Sequence, residues 1–583
     1  MTNQNRNLLV AVTLWLALMF GLNLLFPNLM GVKHPPVTQK GQPAAAQQPA
    51  PSAAAPASGG TAAAPKAADV PRGTAEPRPP PKTVVFETPR ARVVATSEGA
   101  AVKNILLLGD KWTRHKGAKE ESQVDLVPVH EGEPLPFSTV VRGADGAALI
   151  PADAAYAVVE QDATHATFRA EQGGVTVTKT LSLNPQTYGI ALSVEVAAAE
   201  EVKGTLAVLS GGHAEQPAGG LFASRTNTPA RTICVHGNDK VERLAIGAKT
   251  PVFEAPAAEF AGIDEQYFLT AVMPPEGVAA SCRLEAHGEK VGSLISSLVV
   301  PLSVGKGAAV TLSFKGYAGP KDDAELAAVA APLKHSIDWG FWSVIAEVLL
   351  GVMKFFQRIV PGHNWGVSII LLTLAMKVVT FPLQHKSMKS MQEMQRIQPQ
   401  LDALKKKYAG DTQRQNLEQM KLFKEHGVNP MGSCLPMLIQ MPIWFALYTT
   451  LQVSVELYNA PFIHGWLDDL TAADPFYVLP VAMGITMILT QVLTPTPMSN
   501  KSQKTMGYVM SGFFSLLMLT LPSGLTLYIF TNNVLSIGQQ MYLRRQLHTH
   551  PPKASGQTIE VENKKDDRSG GSGGDADRAK LRA

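Results

Sequence analysis

The chain has 583 residues, a formal net charge of +4, 45% hydrophobic residues and a mean hydropathy of +0.03. This length leaves room for several domains, and a mean near zero that averages very apolar with very polar segments argues against one uniform soluble class. The small net charge argues against bulk or sequence-specific nucleic-acid binding. The three cysteines, Cys234, Cys282 and Cys434, form no CxxC, and neither GxxxxGK[ST] nor HExxH occurs, so no cofactor, metal site or catalytic residue is expected.

In chain order, residues 1–7 form a short polar end with Arg6, and residues 8–26, LLVAVTLWLALMFGLNLLF, have about the 20 apolar residues of a transmembrane helix. The run is longer than a signal core and no small-x-small cleavage site follows closely, so an uncleaved anchor is expected. Residues 27–81 read as a linker: from Gly41 to Pro81 the composition collapses to Ala, Pro, Gln, Gly and Ser, too poor in large apolar residues for a core. Over residues 82–322, short alternating runs such as TVVFET, ARVVATS, VTVTKTLSL and IALSVEV, broken by Gly, Pro and Asp, predict an all-β sandwich. Cys234 and Cys282 lie inside it; an extracytoplasmic location allows them to pair, and two inert thiols are equally consistent with the sequence.

Residues 323–362 read as a helical connector followed by a helix lying in the membrane interface. Glu347, Lys354 and Arg358 interrupt its apolar and aromatic residues, and Trp339 and Trp342 sit at one end. Residues 363–383 then form a transmembrane span carrying one charge, Lys377. Residues 384–430 form a cytoplasmic hairpin of two antiparallel helices, with a break at Ala409–Asp411 and a kink expected at Pro399. From Lys386 to Glu425 it has nine basic and five acidic residues, including Lys405, Lys406 and Lys407, and a helical stripe of Met388, Met391 and Met394. Such a stripe serves either internal packing or adaptable contact with varied apolar peptides.

Further spans are expected at residues 431–455, 476–494, 506–521 and 525–541. They are separated by an acidic loop at 456–475 and a short loop at 495–505, and followed by a disordered tail at 542–583. With the first two this makes six spans. Arg6, the hairpin, Lys501 with Lys504, and Arg544 with Arg545 fall on one side, so the positive-inside rule puts both termini in the cytoplasm and the β domain outside. The tail contains a formal GxSxG at Gly570–Gly574, but it lacks the strand and helix that give that pattern meaning.

An intramembrane charge usually faces protein or water. Lys377 lies six residues from the end of its span, ~9 Å along a helix at ~1.5 Å per residue, so its stem can also snorkel to the headgroups. Its polar company includes Thr373, Gln440, Tyr528, Asn532 and Asn533, which together can line a hydrated cavity with Lys377 as its positive centre. Single hydroxyls of this kind also serve as interhelical contacts. A secondary transporter or channel is the main rival function, although the two halves show no repeat. An anchored carbohydrate enzyme built on the β domain has far more spans than it needs.

The segments NWGVSIILLTLAMKVVTFPL, GVNPMGSCLPMLIQMPIWFALYTTL, APFIHGWLDDLTAADPFYVLPVAMGITM and LPSGLTLYIFTNN resemble, in order, the YidC-type membrane protein insertases. KTLSL, YGIALSVEV and EQYFLTAVMP resemble the periplasmic domain of the Gram-negative members. The resemblance implies a non-enzymatic insertase and chaperone of the inner membrane. It would receive nascent membrane proteins from the ribosome and signal-recognition machinery, act alone or with the Sec translocon, and release clients sideways into lipid. The implied fold is a multi-pass α-helical membrane protein: an anchor, a five-helix core around a hydrophilic groove, and an all-β periplasmic supersandwich. The family's groove arginine falls on Lys377, which keeps the charge and loses bidentate carboxylate recognition; its groove glutamine falls on Gln440. An aromatic often follows the residue matched by Tyr528, and here it is Ile529. The tail, with nine basic and six acidic residues from Arg544 onward, is less basic than the ribosome-binding tails of some relatives.

Overall fold

The structure, a computed structural model, describes residues 80–113, 122–127, 130, 132–216, 228–427, 430–493 and 501–549. The anchor expected at 8–26, nearly all of the linker, and the tail beyond 549 lie outside the described residues.

The alternating segments form eighteen strands in antiparallel sheets of nine, six and three. In Val175–Leu183 every second side chain is buried, as a half-covered strand requires. Val202–Glu215 and Val291–Val304 pair over their full 14 residues and form the centre of the six-stranded sheet. The inner faces of the sheets share one core that includes Phe86, Phe137, Phe168, Phe260, Phe314 and Tyr317. Cys234 and Cys282, which the sequence leaves open, are joined by a disulfide within this core.

Two charged clusters are buried in the same domain. Lys179 stands in the inward row of its strand, fully buried, and donates to the carbonyls of Gly99 at 2.9 Å and Phe137 at 2.7 Å. Burial pushes its ammonium down to about 7. Asp264, also fully buried, meets Lys321 at 2.8 Å, Arg243 at 2.8 Å and Arg231 at 3.2 Å. Burial alone would raise its pKa, but the three cations hold the carboxyl well below the usual carboxylate range.

After the β domain come α1 (Asp323–Val329), a 3₁₀ turn, α2 (Ser343–Ile359), α3 (Trp365–Lys407), α4 (Thr412–Glu425), α5 (Pro430–Val453), α6 (Val478–Leu493), α7 (Lys501–Leu517) and α8 (Ser523–Thr549). Asp322 caps α1 by accepting from the amides of Ala324 and Glu325, and Asn364 caps α3 by accepting from Val367. The expected span at 363–383 and the first hairpin helix are one helix, α3, which runs unbroken through Pro382 and Pro399. Among the described residues, one stretch, Trp365–Met391, is long and apolar enough to cross a membrane; Val478–Leu493 and Thr505–Thr520 are apolar but shorter. The count of six spans is therefore not established by helix length.

The β domain rests on the helical region through the loop after α5. Tyr458 stacks on Trp112 with ring centroids 6.0 Å apart and meets Phe268 edge-on at 5.5 Å. Asn459 donates to the Lys111 carbonyl at 2.8 Å, Gln266 donates to the Gln452 carbonyl at 2.9 Å, and Lys354 pairs with Glu456.

Candidate functional site: a polar face shared by three helices

α8 carries Tyr528, Asn532 and Ser536 at four-residue intervals, a spacing that puts all three on one side of a helix. α3 and α5 both reach that side. Lys377 of α3 donates to Ser536 Oγ at 2.7 Å, and Ser536 in turn donates to the carbonyl of Asn532 at 2.7 Å. Gln440 of α5 donates to the hydroxyl of Tyr528 at 3.5 Å, a long contact. Lys377 is half-buried, and no carboxylate among the described residues pairs with it.

Thr373, one turn before Lys377, is buried and donates to its own helix at Ile369, so its hydroxyl is satisfied within α3. One turn later Thr380 donates to the Met376 carbonyl, and Gln384 donates to Thr380 at 3.2 Å, extending the polar row toward the hairpin. The structure thus brings Lys377, Gln440, Tyr528 and Asn532 onto or against one face of α8, with Thr373 behind it. Ser536, which the sequence analysis missed, is the direct partner of Lys377; its place four residues after Asn532 and eight after Tyr528 was the available signal.

Further along α8, the side-chain nitrogens of Asn533 and Gln539 are buried without a protein partner. An amide in that condition costs about 1–3 kcal/mol unless water or a bound chain satisfies it. The opposite faces are apolar and open: Val378 and Val379 on α3 are 67% and 72% exposed, Val481 and Ile485 on α6 are 58% and 62%, and Val509 on α7 is 62%. Contiguous exposure of this kind is the mark of a lipid-facing surface. α6 and α7 are drawn together by small residues: Gly484 lies against Ser515, and Gly507 lies against the Gln491 side chain, which accepts from Ser511.

In the hairpin, Met394 is buried with Ile397 and Leu401 against Leu422 of α4, whereas Met388 and Met391 are half-buried. Lys405, Lys406 and Lys407 are exposed at the end of α3. Among the described residues no cluster of His, Cys, Asp or Glu is arranged to hold a metal.

Comparison with known proteins gives matches along most of the chain. The profile of the 60Kd inner membrane protein family matches residues 355–550, and that of the YidC periplasmic domain matches residues 83–352. The chain is 42% identical over 471 residues to the membrane protein insertase YidC of Anaeromyxobacter sp. (strain Fw109-5), covering 79% of this chain and 84% of the relative. Its counterpart from Geobacter sulfurreducens is 35% identical over 481 residues, covering 80% and 87%. Among solved structures, an active YidC insertase with its first transmembrane domain resolved is similar at 19% identity and a TM-score of 0.34, covering 81% of this chain and 94% of that one. A putative aldose 1-epimerase from Escherichia coli K12 is similar at 7% identity and a TM-score of 0.26, covering 41% and 99%.

Proposed function

Because the chain belongs to the YidC family of membrane protein insertases, we propose that the polar face shared by α3, α5 and α8 is the groove through which its clients enter the bilayer. Membrane insertion is not an enzymatic reaction, and no catalytic group is required. The clients are nascent membrane proteins. In this account the chain has six spans with both termini in the cytoplasm of a bacterial inner membrane, and the domain architecture follows the boundaries drawn from the sequence.

The observation that carries the groove is Lys377, a cation between helices whose only polar partner among the described residues is a neutral hydroxyl, Ser536. A charge left without a counter-ion attracts an acidic group on an incoming chain, and the low surrounding dielectric strengthens that attraction. Gln440, Asn533 and Gln539 supply hydrogen-bonding groups for the polar part of the client, so the segment to be translocated crosses a shorter apolar barrier. Its apolar part then moves sideways against the open valine and isoleucine faces into lipid. The exposed lysines at the end of α3, with Met388 and Met391, suit reception of the client and contact with the ribosome, the signal-recognition machinery or the Sec translocon on the cytoplasmic side.

The test is complementation in cells depleted of their own insertase, with wild type, Lys377→Arg, Lys377→Ala and Ser536→Ala supplied in turn. Growth and protease accessibility of a small single-span client with an acidic N-terminal tail are scored. Wild type and Lys377→Arg restore insertion, while Lys377→Ala loses about tenfold, the equivalent of one charge-assisted contact of about 1.4 kcal/mol. Equal rescue by Lys377→Ala refutes the charged groove. Solute flux in proteoliposomes that Lys377→Ala abolishes would instead favour a transporter.

A further inference from the structure

Where the β domain overhangs α2, a cleft of about 940 Å³ opens between Arg231, Glu242 and Arg243 on one side and Ser343, Glu347 and Lys354 on the other. We propose that this cleft binds the ammonium headgroup of a phospholipid, phosphatidylethanolamine in kind, from the outer leaflet.

The ligand's charge follows from what the cleft leaves uncompensated. Its cations are engaged: Arg231 and Arg243 share Asp264 with Lys321, Lys334 pairs with Asp323 and Lys354 with Glu456, while the His335 ring lies 3.2 Å from Asp239. Asp338 lies 3.9 Å from both arginines. Two lining carboxylates, Glu242 and Glu347, have no cationic partner among the described residues. The cleft therefore presents acceptors and spare negative charge, and a primary ammonium with three N–H donors satisfies both.

The lipid source follows from the three faces of α2. Ala346, Leu349 and Met353 are buried against the helical core, and Ser343, Glu347, Leu350, Gly351 and Lys354 line the cleft. Phe341, just before the helix, with Val344, Val348, Phe355 and Ile359, lies on the remaining side and is 59–76% exposed. At 100° per residue Glu347 and Gly351 stand between the cleft and that apolar side. A lipid whose acyl chains lie along the exposed aromatic and valine side chains thus has its headgroup at Glu347. Such a headgroup would hold the β domain at a fixed height over the membrane, apart from the insertion groove.

The full-length protein, purified in detergent, is titrated with phosphatidylethanolamine, phosphatidylcholine and phosphatidylglycerol, and retained lipid is counted by native mass spectrometry. Phosphatidylcholine keeps the phosphate and the charge but has no N–H donor. The expected result is retention of phosphatidylethanolamine about tenfold above the other two, falling to parity when Glu242→Gln and Glu347→Gln are combined. Gly351→Leu is the second variant. A Cβ added at Gly351 meets nothing within 4 Å, and leucine favours the helix, so it narrows the cleft beside Glu347 without altering charge and also removes the preference. Preference for phosphatidylglycerol, no preference in wild type, displacement of the lipid preference by spermidine, or undiminished preference in both variants would overturn the assignment. None of these readouts involves client insertion, so the lipid site stands or falls independently of the groove.

Discussion

The β domain and the helical region differ in what meets their charged side chains and in where their apolar side chains point. In the β domain Lys179 meets two carbonyls and Asp264 meets three cations, although the Arg231 Nε and the hydroxyls of Ser138, Ser210 and Ser296 are buried without a partner. In the helical region Lys377 meets one hydroxyl and buried amide nitrogens of α8 meet nothing, while valines and isoleucines stand in the open. The contrast is one of solvent. A domain in water closes its apolar groups inside and pairs most of the polar groups buried with them, whereas helices in lipid turn apolar groups outward.

The contrast is broken most severely at Asp264. Asp264→Ala leaves the buried Lys321 and the partly buried Arg231 and Arg243 without their carboxylate and costs the β domain about 3–5 kcal/mol, measured by pulse proteolysis in urea. The same group gives a pH dependence. Its folded pKa is depressed, so its stabilisation is complete above the unfolded value of about 4 and is lost as pH falls toward the folded one. The disulfide ranks next: Cys234→Ser with Cys282→Ser opens a loop of 48 residues and removes about 2–4 kcal/mol, with no loss in the helical region.

Lys179 sharpens the comparison through pH. Its folded value of about 7 lies below the unfolded lysine value of about 10.4, so the unfolded state binds more protons between them. Stability of the β domain therefore rises with pH across that window, by up to about 1.4 kcal/mol per pH unit, and Lys179→Met flattens the slope. The smallest effect is expected at Lys306, whose pair with Glu200 is exposed; Lys306→Ala leaves the unfolding midpoint unchanged within error.

Much of the β domain was legible because period-two alternation is local: ARVVATS and VTVTKTLSL fall on the strands Ala91–Thr96 and Val175–Leu183. What was not legible depends on distant residues. Asp264 draws partners from positions 231, 243 and 321, and nothing in the spacing of Cys234 and Cys282 decides between a bond and two thiols. The alternation in VTVTKTLSL puts Lys179 in the inward row, but nothing local supplies the carbonyls of Gly99 and Phe137 that receive it. In the helical region the sequence located Lys377, Gln440 and Tyr528 but neither Ser536 nor which residue meets which, because the pairing of α3 and α5 with α8 is a property of packing. α3 continues through Pro382 and Pro399, which is compatible with the kink expected at Pro399, because a proline can bend a helix without ending it.

Thiol accessibility decides whether one side of α8 faces water while neighbouring helices face lipid. With Cys434 replaced by serine and the Cys234–Cys282 disulfide retained, single cysteines at Asn532, Ser536 and Gln440 are compared with cysteines at Val379, Val481 and Val509 in intact membranes. A membrane-impermeant maleimide is added from the cytoplasmic side. The account predicts labelling at the first three positions and protection at the second three. Equal protection of all six would mean that Lys377 and its neighbours are a sealed packing contact, and the groove would be lost with it.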